Sequence, residues 1–281
     1  MIRVNENVIQ QEQFGDGTLK MEQLLYEEIC NRDLFEIAWA YDSDSELFAL
    51  WCIVQSIRNF DAHKKINLYL PYIPNARQDR DVGDRVFTLK YFAKLINLMN
   101  FERVYVADPH SDVSMALIDH AFIDEDASVH RINWDLERGK NVQIMFPDNG
   151  AEKKYRERYK YWLEGIDEYS KGGEYGNKPY IIGSKHRNKE GRIASYEVCG
   201  LLPETEKVLI FDDICSYGGT FVAAAQKLKE LGVKKVILVV THCENNILKG
   251  EVFDYIDEVY TTDSICTIKH PKLYVAKMWR D

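Results

Sequence analysis

The sequence predicts an α/β protein with largely parallel sheets, because short apolar runs alternate with longer amphipathic segments along the chain. Nearly continuous apolar runs of this length are typical of strands that are covered on both faces. The alternation of such strands with helices is typical of β-α-β units. The chain has 281 residues, which suits two domains at about 100–200 residues per domain.

The elements follow in chain order. The predicted strands share β-branched, apolar composition and are Ile66–Leu70, Val104–Ala107, Val142–Phe146, Tyr180–Ile182, Val208–Phe211 and Val236–Val240. The predicted helices share an amphipathic pattern and are Glu46–Phe60, Thr88–Asn100, Asp112–His120, Glu152–Glu164 and Gly219–Leu231. In the last helix, Val222, Ala225 and Leu228 recur along one stripe, and Gly232 ends it. We therefore expect two α/β domains, residues 1–146 and residues 147–281.

The charge balance argues against nucleic acid as a partner. The chain carries 36 Lys and Arg against 45 Asp and Glu, a formal net charge of −9. Proteins that bind nucleic acid normally present a basic surface. A small anionic ligand remains compatible with this composition, because a local basic pocket can form in an acidic protein.

The cysteine spacing and the apolar runs predict a cytoplasmic location without a membrane partner. None of the cysteines forms a C-x-x-C pair, which favours free thiols in a reducing compartment. The first residues lack the apolar core of a signal peptide. The longest apolar runs, such as Val236–Val240, are too short to span a bilayer.

The strongest local signal is a candidate phosphate loop. A predicted strand leads into Asp212 and Asp213, and Gly218-Gly219-Thr220 then opens a predicted helix. Glycines allow close approach of the backbone, and the N–H groups at a helix N-terminus attract an anion. The aspartates would repel a phosphate, so they suit sugar hydroxyls or a metal ion beside it. The alternative is a glycine turn with a capping threonine and solvated carboxylates.

This segment resembles the phosphoribosyl-diphosphate binding loop of type I phosphoribosyltransferases and ribose-phosphate pyrophosphokinases. The stretch LPYIPNARQDR, from Leu70 to Arg80, is similar to the P-Y-x-x-x-A-R-Q-D-R signature that distinguishes the pyrophosphokinases. Other segments match this family in order, namely Phe14–Gly17 (F-x-D-G), Val106–His110 (D-x-H), Phe146–Gly150 (S-P-D-x-G) and Gly183–Arg187 (the mobile K-x-R loop). The chain is thus identified as a divergent pyrophosphokinase, which implies two phosphoribosyltransferase-like domains.

The resemblance implies a reaction and a set of site residues. The family transfers the β,γ-diphosphate of ATP to the C1 hydroxyl of ribose 5-phosphate with Mg²⁺, and it releases AMP. Lys185 and Arg187 would be catalytic, on a polar loop that closes over the diphosphate. The remaining implied roles are ATP binding by Asp16, Gly17, Arg77, Gln78 and His110, metal binding by His110 and Asp148, and ribose-phosphate binding by Asp212, Asp213, Ser216, Tyr217, Gly218, Gly219 and Thr220.

These residue types suit their implied ligands. A guanidinium fork such as that of Arg77 matches phosphate, and the Gln78 amide offers both a donor and an acceptor to adenine or ribose. An imidazole is an unusual ligand for a hard cation, so His110 also suits phosphate. The family's counterparts of Asp16 and Gly17 reach adenine across a subunit contact, which implies a homo-oligomer. In this motif Thr18 stands where an acidic residue is usual.

The phosphate loop departs from the family pattern. Ser216-Tyr217 replaces the usual aspartate-threonine pair, where the sugar 5-phosphate would bind. An aromatic ring there could stack on a base attached through that phosphate, so ADP-ribose stays open as an acceptor beside ribose 5-phosphate. A non-catalytic regulatory relative would be expected to lose the loop cations or metal residues, which are all present. A plain phosphoribosyltransferase would not need Arg77 and Gln78.

Overall fold

The computed structural model describes residues 1–21, 30–81, 83–124, 141–156, 180–187 and 193–278. The chain forms two compact units, Met1–Ser128 and Val129–Asp281. Strand Val142–Phe146 pairs with strands of the second unit, so the boundary expected after residue 146 is wrong. The apolar sequence of this strand suits either sheet, and only its hydrogen-bonded neighbours assign it to the second.

The first unit contains a sheet in the order β2-β1-β5-β6-β7-β8. The strands of this unit are β1 (Ile2–Val4), β2 (Asn7–Val8), β3 (Gln11–Gln13), β4 (Leu19–Met21), β5 (Leu34–Trp39), β6 (Lys65–Tyr69), β7 (Arg103–Val106) and β8 (Ala121–Ile123). Strands β5 to β8 run parallel, and β1 pairs antiparallel with β2 and β5. Strands β3 and β4 form a separate hairpin. The helices are α1 (Ser45–Phe60), α2 (Thr88–Leu98) and α3 (Asp112–Leu117).

One apolar core holds the first unit together. Strand β5 alternates, with Phe35, Ile37 and Trp39 buried, as expected for a strand with one covered face. Helix α1 contributes Leu50 and Val54, which lie one helical turn apart and are fully buried. The core therefore fixes β6 and β7, whose carboxyl ends lead into candidate site loops.

Helix α3 ends at Leu117 instead of His120, the end that the sequence predicts. The Asn97 side chain of α2 explains this end, because its amide donates to the Leu117 carbonyl oxygen at 3.0 Å and its oxygen accepts from Asp119 N at 3.0 Å. These contacts use backbone groups that a continuing helix would need. The chain then turns at His120, whose φ is 54°, into β8.

The second unit contains a seven-stranded sheet in the order β11-β10-β9-β12-β13-β14-β15. Its strands are β9 (Val142–Phe146), β10 (Ile181–Arg187), β11 (Ile193–Cys199), β12 (Lys207–Cys215), β13 (Lys235–Cys243), β14 (Glu258–Thr262) and β15 (Leu273–Ala276). Only the β10–β11 pair is antiparallel among the described strands of this sheet. The helices are α4 (Gly219–Glu230) and α5 (Val252–Tyr255), and residues 149–156 are also helical. The predicted helix Glu152–Glu164 thus begins earlier, and its part beyond residue 156 lies outside the described residues.

The central strands of this sheet are buried on both faces, as their apolar runs predict. Val208 and Ile210 of β12 belong to the core that α4 covers, whereas Leu209 and Phe211 pack with Tyr155 on the other face. The predicted α/β class with mainly parallel sheets is therefore confirmed. No helix in the described ranges is long and apolar enough to cross a membrane.

The buried carboxylate of Glu46 generates a stability prediction for the first unit. Its Oε2 accepts hydrogen bonds from Trp39 Nε1 and from the Asp42 backbone N–H, both at 2.9 Å. We expect Glu46→Ala to lower the free energy of unfolding by about 2–4 kcal/mol, because a buried indole N–H loses its acceptor. Urea denaturation followed by circular dichroism measures this change.

The matched control is Glu102→Ala, which removes an exposed carboxylate 3.6 Å from Lys65 Nζ. Its cost should stay below about 1 kcal/mol, as for other surface ion pairs. Equal effects of the two substitutions would contradict the role assigned to Glu46.

Candidate active site

The predicted phosphate loop lies between β12 and α4. Strand β12 extends to Cys215, so Asp212 and Asp213 belong to the strand and not to the turn after it. Gly218 has a φ of 77°, and a Cβ there would lie 2.1 Å from Val252 Cγ2. Both the backbone conformation and the packing therefore require glycine at position 218.

Gly219 differs from Gly218, because a Cβ at position 219 would meet no atom within 4 Å. The open space lies at the first residue of α4, where backbone N–H groups lack partners within the helix. Thr220 follows in the first turn and is partly exposed. The loop therefore leaves room for an anion to approach the backbone.

Ser216 and Tyr217 form the rim of this loop. The Ser216 hydroxyl donates a hydrogen bond of 2.5 Å to Glu244 Oε2. Tyr217 is 55% exposed. Its backbone packs closely on Gly250, because a Cβ on Gly250 would lie 2.0 Å from the Tyr217 carbonyl oxygen. Sequence reasoning missed Glu244, although a charge directly after the β13 apolar run could have indicated it.

The paired aspartates of β12 are closely surrounded by other charges. The Asp213 N–H donates to Asp212 Oδ1 at 2.9 Å, and Lys154 Nζ lies 3.8 Å from Asp213 Oδ2. Burial, followed by the charges of Asp213 and Asp148, raises the pKa of Asp212 well above its ordinary value. Sequence reasoning did not identify Lys154 as a site residue. Lys154 is adjacent in the chain to Tyr155, which packs on the sheet.

Asp148 and Lys185 form an ion pair beside these carboxylates. Lys185 Nζ donates to Asp148 Oδ2 at 2.6 Å, and the backbone N–H groups of Gly150 and Ala151 donate to Oδ1 at 2.9 and 3.0 Å. Burial alone would raise the pKa of Asp148, but these donors and the Lys185 charge hold it below its ordinary value. The Asp148 side chain is therefore ionised and held in position.

Lys185 lies in a strand and not in the polar loop that the sequence predicts. Strand β10 runs from Ile181 to Arg187, and Lys185 is opposite Tyr196 of β11. Tyr196 Oη donates to the Pro147 carbonyl oxygen at 2.7 Å, and a Cβ on Gly183 would lie 1.9 Å from this hydroxyl. The antiparallel partner β11 thus extends β10 beyond the predicted end at Ile182 and places Lys185 next to Asp148.

The candidate ATP residues of the first unit lie in two adjoining loops. The Ala107 N–H donates to the Pro71 carbonyl oxygen at 3.0 Å, which joins the segments after β7 and β6. Arg77 and Gln78 follow Pro71, and His110 follows Ala107; all three side chains are exposed. Gln78 Oε1 accepts a hydrogen bond from Thr88 Oγ1 at 2.6 Å, so α2 positions this amide.

Asp16 and Gly17 lie in the turn between β3 and β4. Gly17 has a φ of 83°, and the Gly17 N–H donates to the Phe14 carbonyl oxygen at 2.9 Å. Asp16 Oδ1 accepts from the side chain and the backbone N–H of Thr18 at 2.7 and 3.0 Å, and these bonds lower the pKa of Asp16. The unusual Thr18 therefore stabilises the ionised Asp16 in the turn.

The predicted metal residues belong to different units, with His110 in the first and Asp148 in the second. In the part of the chain that the structure describes, no three His, Cys, Asp or Glu side chains are grouped to hold a metal ion. Mg²⁺ commonly binds through one or two carboxylates together with substrate phosphates. Asp148 fits that manner of binding, because its ionised carboxylate is a hard oxygen ligand.

The chain is similar to known proteins along most of its length, although no family model matches it. A ribose-phosphate pyrophosphokinase of Campylobacter jejuni is 28% identical over 260 residues, which cover 90% of this chain and 77% of that protein. One of Porphyromonas gingivalis is 29% identical over 238 residues, which cover 82% and 69%.

The fold is also similar to a solved structure. Phosphoribosylpyrophosphate synthetase from Mycobacterium smegmatis matches with a TM-score of 0.70 and 19% identity, over 96% of this chain and 86% of that one. This likeness shows the shared α/β fold, and the matches to curated relatives extend over most of the sequence. The chain is therefore similar to ribose-phosphate pyrophosphokinases over most of its length, at 28% identity.

Proposed function

We propose that the protein is a Mg²⁺-dependent pyrophosphokinase. It transfers the β,γ-diphosphate of ATP to the C1 hydroxyl of ribose 5-phosphate and yields phosphoribosyl diphosphate and AMP. One observation carries this proposal: the Lys185–Asp148 ion pair, the Asp212–Asp213 pair and the open Gly219 of the phosphate loop all lie at or near the carboxyl ends of the neighbouring strands β9, β10 and β12. The carboxyl edge of a parallel sheet is where α/β proteins bind ligands.

The acceptor binds at the phosphate loop in this proposal. Its 5-phosphate contacts backbone N–H groups at Gly218 and Gly219 and the Thr220 hydroxyl, because a helix N-terminus stabilises an anion. Asp212 and Asp213 accept hydrogen bonds from ribose hydroxyls. The C1 hydroxyl then lies on the side of the loop where Lys185 and Asp148 are found.

The donor side needs cations, since charge develops on the oxygens of the transferred phosphoryl group. Lys185 is held in place by Asp148, and we assign charge stabilisation during transfer to Lys185 and Arg187. Arg77, Gln78 and His110 hold ATP. Asp148 in the second unit and His110 in the first are the predicted metal residues, and a Mg²⁺ ion would supply neutralisation of the phosphate charge. The turn at Asp16 and Gly17 contacts adenine in a second subunit, so the active enzyme is a homo-oligomer of chains with two phosphoribosyltransferase-like domains.

A second acceptor, ADP-ribose, is favoured by one feature of the loop. The Tyr217 ring is 55% exposed while its backbone is fixed against Gly250. An exposed aromatic ring on a rigid backbone can stack on a base with little loss of conformational entropy. Transfer of diphosphate to the C1 hydroxyl of ADP-ribose would give ADP-ribose pyrophosphate, a compound suited to NAD salvage.

The first test is release of AMP from Mg-ATP by purified protein with ribose 5-phosphate, with ADP-ribose or without acceptor. We expect acceptor-dependent AMP, and we expect Lys185→Ala to lower kcat by about 10²–10³-fold because a phosphate-stabilising cation is lost. Lys227→Ala removes an exposed lysine that pairs with Glu230 and should leave the rate unchanged. Absence of AMP with both acceptors would reject the proposed function.

The Asp148 ion pair gives a pH-dependent prediction. The pKa of Asp148 is lowered in the folded protein, so the ionised carboxylate stabilises the fold. This stabilisation is fully present above the unfolded pKa of about 3.9, and it is lost as the pH falls through the lower pKa of the folded protein. Asp148→Asn should therefore cost about 1–2 kcal/mol at pH 7. The difference from wild type should shrink below about pH 4.

Thermal unfolding across this pH range measures the effect, with Asp254→Asn at an exposed site as the control. The control should lie close to wild type at every pH. A difference for Asp148→Asn that stays constant down to pH 2 would show that the carboxylate charge is not what stabilises this part of the sheet.

The Tyr217 ring gives the test of the second acceptor. Tyr217→Ala should raise the KM for ADP-ribose about 10-fold, the value of one stacked base, and should leave the KM for ribose 5-phosphate nearly unchanged. Tyr91→Ala, at a ring that is 54% exposed on α2, is the control. Parallel changes for the two acceptors would remove stacking from the explanation.

A further inference from the structure

Glu244 reaches the phosphate loop from the strand next to it. It follows β13 directly, and its backbone N–H donates to the Cys215 carbonyl oxygen at 2.8 Å. Its Oε2 accepts from Ser216 Oγ at 2.5 Å and from Asn246 Nδ2 at 3.2 Å. The side chain is partly buried. Backbone and side-chain contacts therefore hold a carboxylate at the rim of the loop.

This contact determines what Ser216 can offer to a ligand. A serine hydroxyl has a single proton to donate, and here that proton is directed at Glu244. The hydroxyl therefore presents only lone pairs to the loop. A phosphate oxygen, which is also an acceptor, gains no hydrogen bond from it.

The charge of the acceptor phosphate changes how well it fits beside Glu244. A terminal phosphate monoester carries about −1.5 to −2 charges at pH 7 and has three acceptor oxygens. A phosphate esterified on a second side carries a single charge and has one fewer acceptor oxygen. Repulsion between charges a few ångströms apart is strong at a partly buried site, so the carboxylate disfavours the more highly charged group.

We infer that Glu244 is a specificity-determining residue that favours an acceptor whose 5-phosphate is already esterified, as in a nucleoside-diphosphate ribose, over one with a terminal phosphate. The inference rests on the proposed function for the identity of the loop's ligand. It goes beyond that proposal because it assigns acceptor selection to the charge of a residue outside the loop.

The test compares wild type with Glu244→Gln, which keeps the shape and an acceptor oxygen for Ser216 but removes the charge. The KM for ribose 5-phosphate should fall about 10-fold, whereas the KM for ADP-ribose should change less than about 3-fold, since the two phosphates differ by up to one charge. The kcat values should change little. Glu204→Gln removes an exposed carboxylate of the same unit and should leave the ratio of KM values unchanged.

Calorimetric binding of each acceptor without ATP separates this inference from the proposed function. Absence of AMP with both acceptors would reject the function, and the ratio of the two dissociation constants would still decide the role of Glu244. An unchanged ratio in Glu244→Gln, or equal shifts for both acceptors, would overturn the inference.

A second variant, Ser216→Ala, keeps the test decisive if Glu244→Gln does not fold. The Glu244 carboxylate remains in this variant, so the ratio of the two KM values should stay within about 3-fold of wild type. This change is smaller than the one expected from losing a hydrogen bond to a charged phosphate. A rise of about 10-fold or more in the KM for ribose 5-phosphate would show that the hydroxyl leaves Glu244 to donate to phosphate. That result would overturn the inference.

Discussion

The parallel register of β12 and β13 determines the positions of Ser216 and Glu244 at the candidate phosphate loop. Cys215 is opposite Cys243 at the carboxyl ends of the two strands, so Ser216 and Glu244 leave the sheet side by side. A slip of one residue in either strand would turn the side chains of that strand to the opposite faces of the sheet. Because β12 and β13 are covered on both faces, that slip would disrupt two cores at once. Because a slip would cost this packing free energy, the register keeps Ser216 and Glu244 in contact.

The same sheet edge gathers more negative charge than it could hold without compensation. Asp212 and Asp213 are adjacent, and the charges of Asp213 and Asp148 both act on Asp212. Lys185 lies 2.6 Å from Asp148, and Lys154 lies 3.8 Å from Asp213. Burial of like charges is unfavourable unless opposite charges or protons offset it. Under the proposed function, a sugar phosphate with magnesium would supply the hydroxyl donors and the cation that offset this charge.

The sequence predicted the fold class, and it predicted the strand and the helix on either side of the candidate phosphate loop, because these signals are local. The apolar runs of β12 and β13 indicate burial from their own composition. The paired glycines Gly218 and Gly219 at the start of α4 indicate the backbone conformation in the same local way. Lys185 was wrongly placed in a loop, because the polar segment around it is a strand only through its pairing with β11. The boundary after residue 146 failed for a similar reason, since β9 is assigned to a sheet by its neighbours. Glu244 and Lys154 could not be identified as site residues from the sequence. Each is a single charged residue whose contact in the site, with Ser216 and with Asp213 respectively, is made to a residue distant in the sequence.

Different physical constraints act on the backbone of the site and on its rim. Close contacts to Val252 and to Tyr196 leave no space for a side chain at Gly218 or Gly183, so these positions hold the loop and β10 in place whatever ligand binds. The fold is similar to that of a solved structure at 19% identity. Tyr217, by contrast, contributes an exposed ring, and Ser216 bonds to a side chain from another strand. Substitution at the rim changes charge and shape without moving the backbone. If the proposed function holds, substitutions at Ser216 and Tyr217 are therefore expected to alter the choice of acceptor before they alter the sheet edge that Gly218 and Gly183 hold in place.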